Sequence, residues 1–558
     1  MYEFINNITK KTISTNGITM KHIFVFLFFF SLTCFHAFGQ QCPVIPAPEQ
    51  AQAMPGTFTL RDGMGITFND ATLAAQGNYL QQQIFRFGGM APVICDEHQS
   101  PAIRLVLDKS IKHANPEAYT LNVRADGIKI TAATPVGVFR GTATLLQLLR
   151  LGDRKDGTIN INCWAIKDAP RFTWRGIMLD ESRHFFGMQT VKELLDWMAF
   201  YKLNKFHWHL TDEPAWRIEV KAYPLLSLNG GVGTYDDALA PAQYYTQEQI
   251  KEVIDYAAKR FIEVIPEIDM PGHATAANKA YPAYSGGGAA KHPEFTFNPG
   301  LDSTYNYLGR ILRETDMLFP SQMIHLGGDE VSFGNEKWKT NPGISRLMKT
   351  EQLADLVAVE HYFTHRMADT VFKLNNKVLL WDEAADIELP RDKTIIFWWR
   401  HDHPEQLKKA LDKGYSVVLC PRLPFYFDFM QDANQRLGRK WQGNMVTLDK
   451  LYGFTLSDLP VSSTQIGQIQ GVQAGIWTEY ISTREKLEYM LFPRIAALAE
   501  TGWTPAANKN LDNFYHRLSN HLILYGKAGI YYYNPFNPQQ TPEPLSARQI
   551  SALTGQAK

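Results

Sequence analysis

From about residue 170 onward, short apolar runs recur along the chain, each followed by a polar or aromatic cluster and then by a stretch of helical periodicity. The runs are 174–179, 203–210, 261–268, 323–326, 377–381, 394–399, 416–420 and 472–477. Runs of this length read as buried strands, and the longer stretches between them as helices. Thr190 with Glu193, and Thr246 with Gln249, have capping-box spacing and mark two helix starts. Eight strands alternating with helices predict an α/β fold, a (β/α)8 TIM barrel over 169–526. A doubly wound open sheet is the alternative, and the polar or aromatic residues at so many strand ends favour the barrel.

Upstream the pattern differs. Residues 119–124 and 128–131 alternate in character around Asp126-Gly127, which reads as a hairpin, and 136–150 follows as an apolar helix. A small α+β domain over 42–168, without a catalytic constellation, is the expectation. Ser285 to Ala290 is Gly-rich and reads as a flexible loop after the third strand. Residues 512–524 read as a closing helix. The end of the chain, 527–558, becomes Pro- and Gln-rich after Tyr533 and reads as a tail draped on the surface or partly disordered.

The chain has 558 residues, enough for two or three domains with large cores. With 56 basic and 56 acidic residues there is no electrostatic case for nucleic acid or an anionic membrane as partner. Near the N-terminus, Met20-Lys21-His22 precedes an apolar run from Ile23 to Thr33, too short to span a bilayer, and Ala37-Phe38-Gly39 offers small residues for cleavage. Residues 1–39 therefore read as a signal peptide, with Met20 as an alternative start. The protein is expected to be exported, periplasmic or secreted. A lipid anchor at Cys34 is a second possibility and the only route to a membrane. Removing the leader leaves Cys42, Cys95, Cys163 and Cys420, which allow at most two disulfides and match no metal-binding spacing.

The chemistry concentrates in Ile324-His325-Leu326-Gly327-Gly328-Asp329-Glu330. A strand ends in two glycines, which let the backbone turn and leave room for a ligand, and two carboxylates follow. Carboxylates this close resist joint ionisation, so one pKa should rise. A proton donor beside a fixed negative charge is what glycosidic cleavage uses. Other strand ends offer Asp180-Glu181-Ser182-Arg183-His184, His207 to Asp212, Glu267 to His273, Trp381-Asp382-Glu383, Trp398-Trp399, Tyr426-Phe427-Asp428 and Trp477-Thr478-Glu479.

Asp-Glu-Ser-Arg-His-Phe185, His-Trp-His-Leu-Thr-Asp212, Glu-Ile-Asp-Met-Pro-Gly-His273, His-Leu-Gly-Gly-Asp-Glu330 and Ile-Trp-Thr-Glu479 resemble, in order and spacing, the signature segments of family 20 glycoside hydrolases, the β-N-acetylhexosaminidases. The resemblance covers about 170–525, and 42–168 is similar to the small domain preceding the barrel in that family. It implies a retaining exo-enzyme that removes terminal non-reducing β-linked GlcNAc or GalNAc from an oligosaccharide or glycoconjugate, needing neither cofactor nor metal. The substrate's 2-acetamido group would be the nucleophile, forming an oxazolinium ion. By this resemblance Glu330 is the general acid, Asp329 orients and stabilises the acetamide, and Tyr426 donates to its oxygen. Trp381, Trp399 and Trp477 wall the pocket; of the adjacent Trp398 and Trp399 only one can point inward. Arg183 takes O3 and O4, Asp428 and Glu479 take O4 and O6, and Asp212 and His273 hold Glu330 from behind. Glu213-Pro214 departs from the family's usual Asp-Gln, at the rim. Two alternatives are a metal-dependent barrel hydrolase with a two-metal site assembled from His207-x-His209, His273, His325 and Asp329, and an amino-sugar-binding protein with a dead site. The preference between GlcNAc and GalNAc and the oligomeric state stay open in the sequence.

Overall fold

The structure, a computed structural model, describes residues 41–96 and 102–554. The leader and Cys34 lie outside the described residues. The first part of the chain forms an eight-stranded sheet: β1 (Gln50–Leu60), β2 (Gly65–Phe68), β3 (Val93–Ile94), β4 (Ile103–Leu107), β5 (Tyr119–Arg124), β6 (Gly127–Ala132), β7 (Asp153–Lys155) and β8 (Thr158–Asp168). The order is β1-β8-β5-β6-β4-β2-β3, with β7 beside β8. Alternation of buried and exposed residues in β4, β5 and β6 gives one apolar face, and the helices Ala74–Gly88 and Pro135–Leu151 contribute to the core that covers it. In the hairpin Arg124 pairs with Gly127, so Ala125-Asp126 form the turn and Gly127 opens the next strand.

β9 (Trp174–Asp180), β10 (Lys205–His209), β11 (Glu263–Glu267), β14 (Met323–His325), β15 (Lys377–Trp381), β16 (Thr394–Trp398), β17 (Ser416–Leu419) and β18 (Ile469–Ile476) are parallel and close into a barrel, β18 pairing with β9. The side-chain period of two divides each strand between two cores. Met178, Ile265, Leu379, Trp381, Phe397 and Val418 point inward. Ile177, Trp208, Val264, Leu380, Ile396 and Leu419 point outward to the helices. The same rule separates neighbours: Trp399 joins the inner cluster and Trp398 the outer one.

Three details differ from the pattern reading. Helix Gly187–Phe200 starts one turn before Thr190, whose hydroxyl donates to the carbonyl of Phe186 rather than capping. The Gly-rich stretch contains a strand, β12 (Ser285–Gly287), paired with β13 (Thr296–Phe297). The tail is anchored, since Glu543 accepts from Lys486 Nζ (2.5 Å) and from the amides of Arg436 and Leu437. The Thr246–Gln249 capping box is present, and all four cysteines of the described chain are free thiols.

Buried polar groups join the sheet to the barrel. Glu117 accepts from Arg140 Nε (2.7 Å) and from Arg175 of β9 (2.5 Å). Asp168, at the end of β8, accepts from Lys202 Nζ (2.9 Å), Tyr119 Oη (2.7 Å) and Trp503 Nε1 (2.9 Å).

Candidate active site

β14 stops at His325, and the chain turns through Gly327 (φ 67°) and Gly328 (φ 91°). A Cβ on Gly327 would lie 1.8 Å from Asp269 Oδ1. The room left by that glycine is therefore taken by the Asp269 carboxylate, not by a ligand, and Gly328 N–H donates to the same oxygen (3.2 Å). Glu330 (φ 53°) and His273 (φ 52°) are both held in the left-handed region. For residues other than glycine this costs about 1–2 kcal/mol each, and such strain concentrates where side-chain direction matters.

His273 stands between the carboxylates: its Nε2 lies 3.7 Å from Asp329 Oδ2 and 3.7 Å from Glu330 Oε2. Its Nδ1 bonds Asp212 Oδ1 at 3.0 Å. Asp212 also meets Arg183 (2.8 Å) and His209 Nε2 (2.8 Å). Burial disfavours the charges of Arg183, His209, Asp212 and His273, but mutual pairing overrides it in all four. Arg183 and His273 hold Asp212 well below the usual carboxylate range, and Asp212 and Asp329 hold His273 well above the usual imidazole range. Asp329 goes the other way: burial first, then Asp269, push its pKa well up against the pull of His273. The rise expected for the acidic pair thus falls on Asp329. It is buried, whereas the Glu330 side chain is 32% exposed.

Trp381, Trp399, Tyr426 and Trp477 form an aromatic box. Trp399 and Tyr426 are parallel (5°) with centroids 6.3 Å apart, and Trp477 lies 6.0 Å from both Tyr426 and Trp381. The Arg183 guanidinium packs over Trp477 at 5.1 Å. Beyond the box, Arg439 Nε lies 3.1 Å from Asp428, and Arg439 also bonds Glu479. Burial pushes Asp428 up to about 7 even with Arg439 beside it; Arg183 and Arg439 together keep Glu479 below its ordinary value despite burial. On the Glu330 side a cavity of about 380 Å³ continues past Phe333, Trp399, Arg422 and Trp441.

All eleven residues singled out in the sequence converge at the C-terminal mouth of the barrel. The pattern reading missed Arg439, which lies in an irregular segment after the seventh strand with no apolar periodicity to place it. Glu383, named in the sequence only as part of the fifth strand end and given no role, accepts from Trp399 Nε1 (3.1 Å) and is pushed well up by burial and Asp382. The histidines that a metal-dependent site would need are divided. His207 and His325 surround Glu267 beneath the pocket, while His273 faces Asp212 and Asp329 above it. His207 Nε2 and His325 Nδ1 each lie 3.0 Å from a Glu267 oxygen. These three residues bring one ligand atom each within 4.8 Å of one another, and both Glu267 oxygens already face a donor, Trp381 Nε1 on one and His209 Nδ1 on the other.

Comparison with known proteins gives consistent matches. The model of glycosyl hydrolase family 20, catalytic domain, matches residues 172–506, and that of glycosyl hydrolase family 20, domain 2, matches 41–169. A beta-hexosaminidase of Vibrio furnissii is 33% identical over 479 residues, covering 82% of this chain and 76% of its own length. One from Porphyromonas gingivalis is 30% identical, covering 92% and 67%. Among solved structures, the exo beta-N-acetylglucosaminidase of Vibrio harveyi with bound N-acetylglucosamine superposes with TM-score 0.82 at 31% identity, covering 89% of this chain and 79% of that one. A mutant Streptomyces plicatus beta-hexosaminidase in complex with product gives 0.77 at 30%, covering 88% and 97%.

Proposed function

Given that the chain belongs to glycosyl hydrolase family 20, we propose that it is an exo-β-N-acetylhexosaminidase whose substrate supplies its own nucleophile. The observation that carries this reading is the juxtaposition of Asp329 and Glu330, bridged by one His273 imidazolium, with a box of four aromatic rings. The box suits the acetamido methyl and the sugar's C–H face. Asp329 accepts the acetamide N–H and Tyr426 donates to its oxygen, which directs that oxygen at the anomeric carbon. Glu330, the more exposed carboxyl, gives its proton to the leaving oxygen and later takes one from water. Asp329 works in its ionised form, and the positive charge that develops on the oxazolinium ion makes its electrostatic stabilisation grow along the reaction. Arg183, Asp428 and Glu479, with Arg439 between the last two, offer donors and acceptors to the hydroxyls of a terminal sugar. The cavity past Trp399 and Trp441 takes the leaving group.

The decisive experiment compares chromogenic β-GlcNAc and β-GalNAc glycosides with the matching β-glucoside. Turnover requires the N-acetyl group, and a thiazoline mimic of the oxazolinium ion inhibits tightly. Equal cleavage of the glucoside would overturn the reading. The apolar run after Met20 adds that the enzyme is exported, which N-terminal sequencing of the mature protein tests.

A further inference from the structure

Beneath the pocket lies a carboxylate that the proposed chemistry does not use. Glu267 ends β11, is fully buried, and is ringed by groups from three neighbouring strands. Trp381 Nε1 donates to it at 2.9 Å. His207 Nε2 and His325 Nδ1 each lie 3.0 Å away, and His209 Nδ1 makes a short contact.

The network has direction. Trp174 Nε1 donates to Gln473 Oε1 (3.2 Å), which leaves the Gln473 amide nitrogen to donate to His207 Nδ1 (3.0 Å). The His207 proton is then on Nε2, which lies 3.0 Å from a Glu267 oxygen without hydrogen-bond alignment. His209 is different, because both of its nitrogens face acceptors: Glu267 on one side and Asp212, at 2.8 Å, on the other. A ring with a carboxylate at each nitrogen carries two protons. Outward from Asp212 come His273 and then Asp329 and Glu330.

We propose that Glu267 is a positioning residue for the hydrolysis: its charge keeps His209 doubly protonated, and His209 in turn holds Asp212 and His273 against the two catalytic carboxylates. The inference rests on the hexosaminidase reading above and assigns a role to a group that touches no substrate. The other ionisable groups facing Glu267 are Asp269, Asp329 and Cys420. Burial opposes the charges on both Glu267 and His209. The three imidazoles nevertheless hold Glu267 well below the usual carboxylate range, and Glu267 with Asp212 holds His209 well above the usual imidazole range.

The test is Glu267→Gln, which keeps the shape and an acceptor for the Trp381 indole but removes the charge. On a β-GlcNAc substrate with a poor leaving group, kcat falls about 10- to 100-fold, the range for losing a partner one layer behind a site, while KM changes little. In Glu267→Gln the His209 ring gives up its second proton, which nitrogen NMR of the imidazole reads, and the alkaline limb of kcat/KM stays in place because the two charges are lost together. His209→Gln removes the cation and leaves both carboxylates, so the limb moves to higher pH. A merely structural role would lower activity in both variants while leaving His209 doubly protonated in Glu267→Gln and the limb unmoved in His209→Gln, and that result overturns the proposal. If thermal melting shows that Glu267→Gln does not fold, an unmoved limb in His209→Gln is enough to overturn it. Wild-type protein that fails to cleave the substrate at all would instead sink the hexosaminidase reading.

Discussion

At the scale of single residues, the adjacent carboxylates are separated by burial more than by sequence. Asp329 faces inward to Asp269 and His273, and Glu330 faces the cavity where a leaving group fits. Their variants should separate in the same way. Glu330→Gln loses most activity on substrates with poor leaving groups and much less on activated aryl glycosides, because only the former need the proton. Asp329→Asn loses activity on both, since it orients the attacking group. Steady-state kinetics on a leaving-group series distinguishes the two. Asp329 must also be ionised to work. Its pKa is raised, so it keeps its proton to a higher pH than an ordinary aspartate, and kcat/KM should fall on the acid side above the usual range near 4.

At the scale of elements, the strand-to-loop turn after β14 is the most constrained piece of backbone in the site. Gly327→Ala would force a methyl group against Asp269 at a φ that side chains rarely adopt. A loss of about 2–4 kcal/mol is expected, read as a lowered melting temperature together with lost activity. Much of this architecture was legible beforehand. Every barrel strand but β17, which stops at Leu419 before Cys420-Pro421, ends at or one residue before a polar or aromatic residue, so local pattern locates both strand and site. Thr190 misled because a hydroxyl in the first turn can bond backward to Phe186 as readily as it caps. The clamp of Arg439 on Asp428 and Glu479, and the ring of imidazoles on Glu267, are contacts between side chains far apart in the sequence. No periodicity within one element encodes them.

At the scale of the whole molecule, Glu117 ties the N-terminal sheet to the first barrel strand. Burial opposes its ionisation, yet Arg175 and Arg140 hold its pKa down to about 2 from an ordinary 4.5. A depressed carboxylate stabilises the fold in full above its unfolded pKa and loses that contribution as pH falls toward its folded one. The pairing is worth on the order of 3 kcal/mol at neutral pH and fades between about pH 4.5 and 2. Glu117→Gln should lower the melting temperature at pH 7, and the deficit should shrink on acidification, as calorimetry across pH would record. Arg175 and Lys202 belong to the barrel's half of the chain, yet each is wholly buried against an acid from the sheet. Excising the catalytic half at residue 170 would strand a guanidinium and an ammonium in a greasy scar with nothing to neutralise them. The leading domain is in that sense the counter-ion of the enzyme.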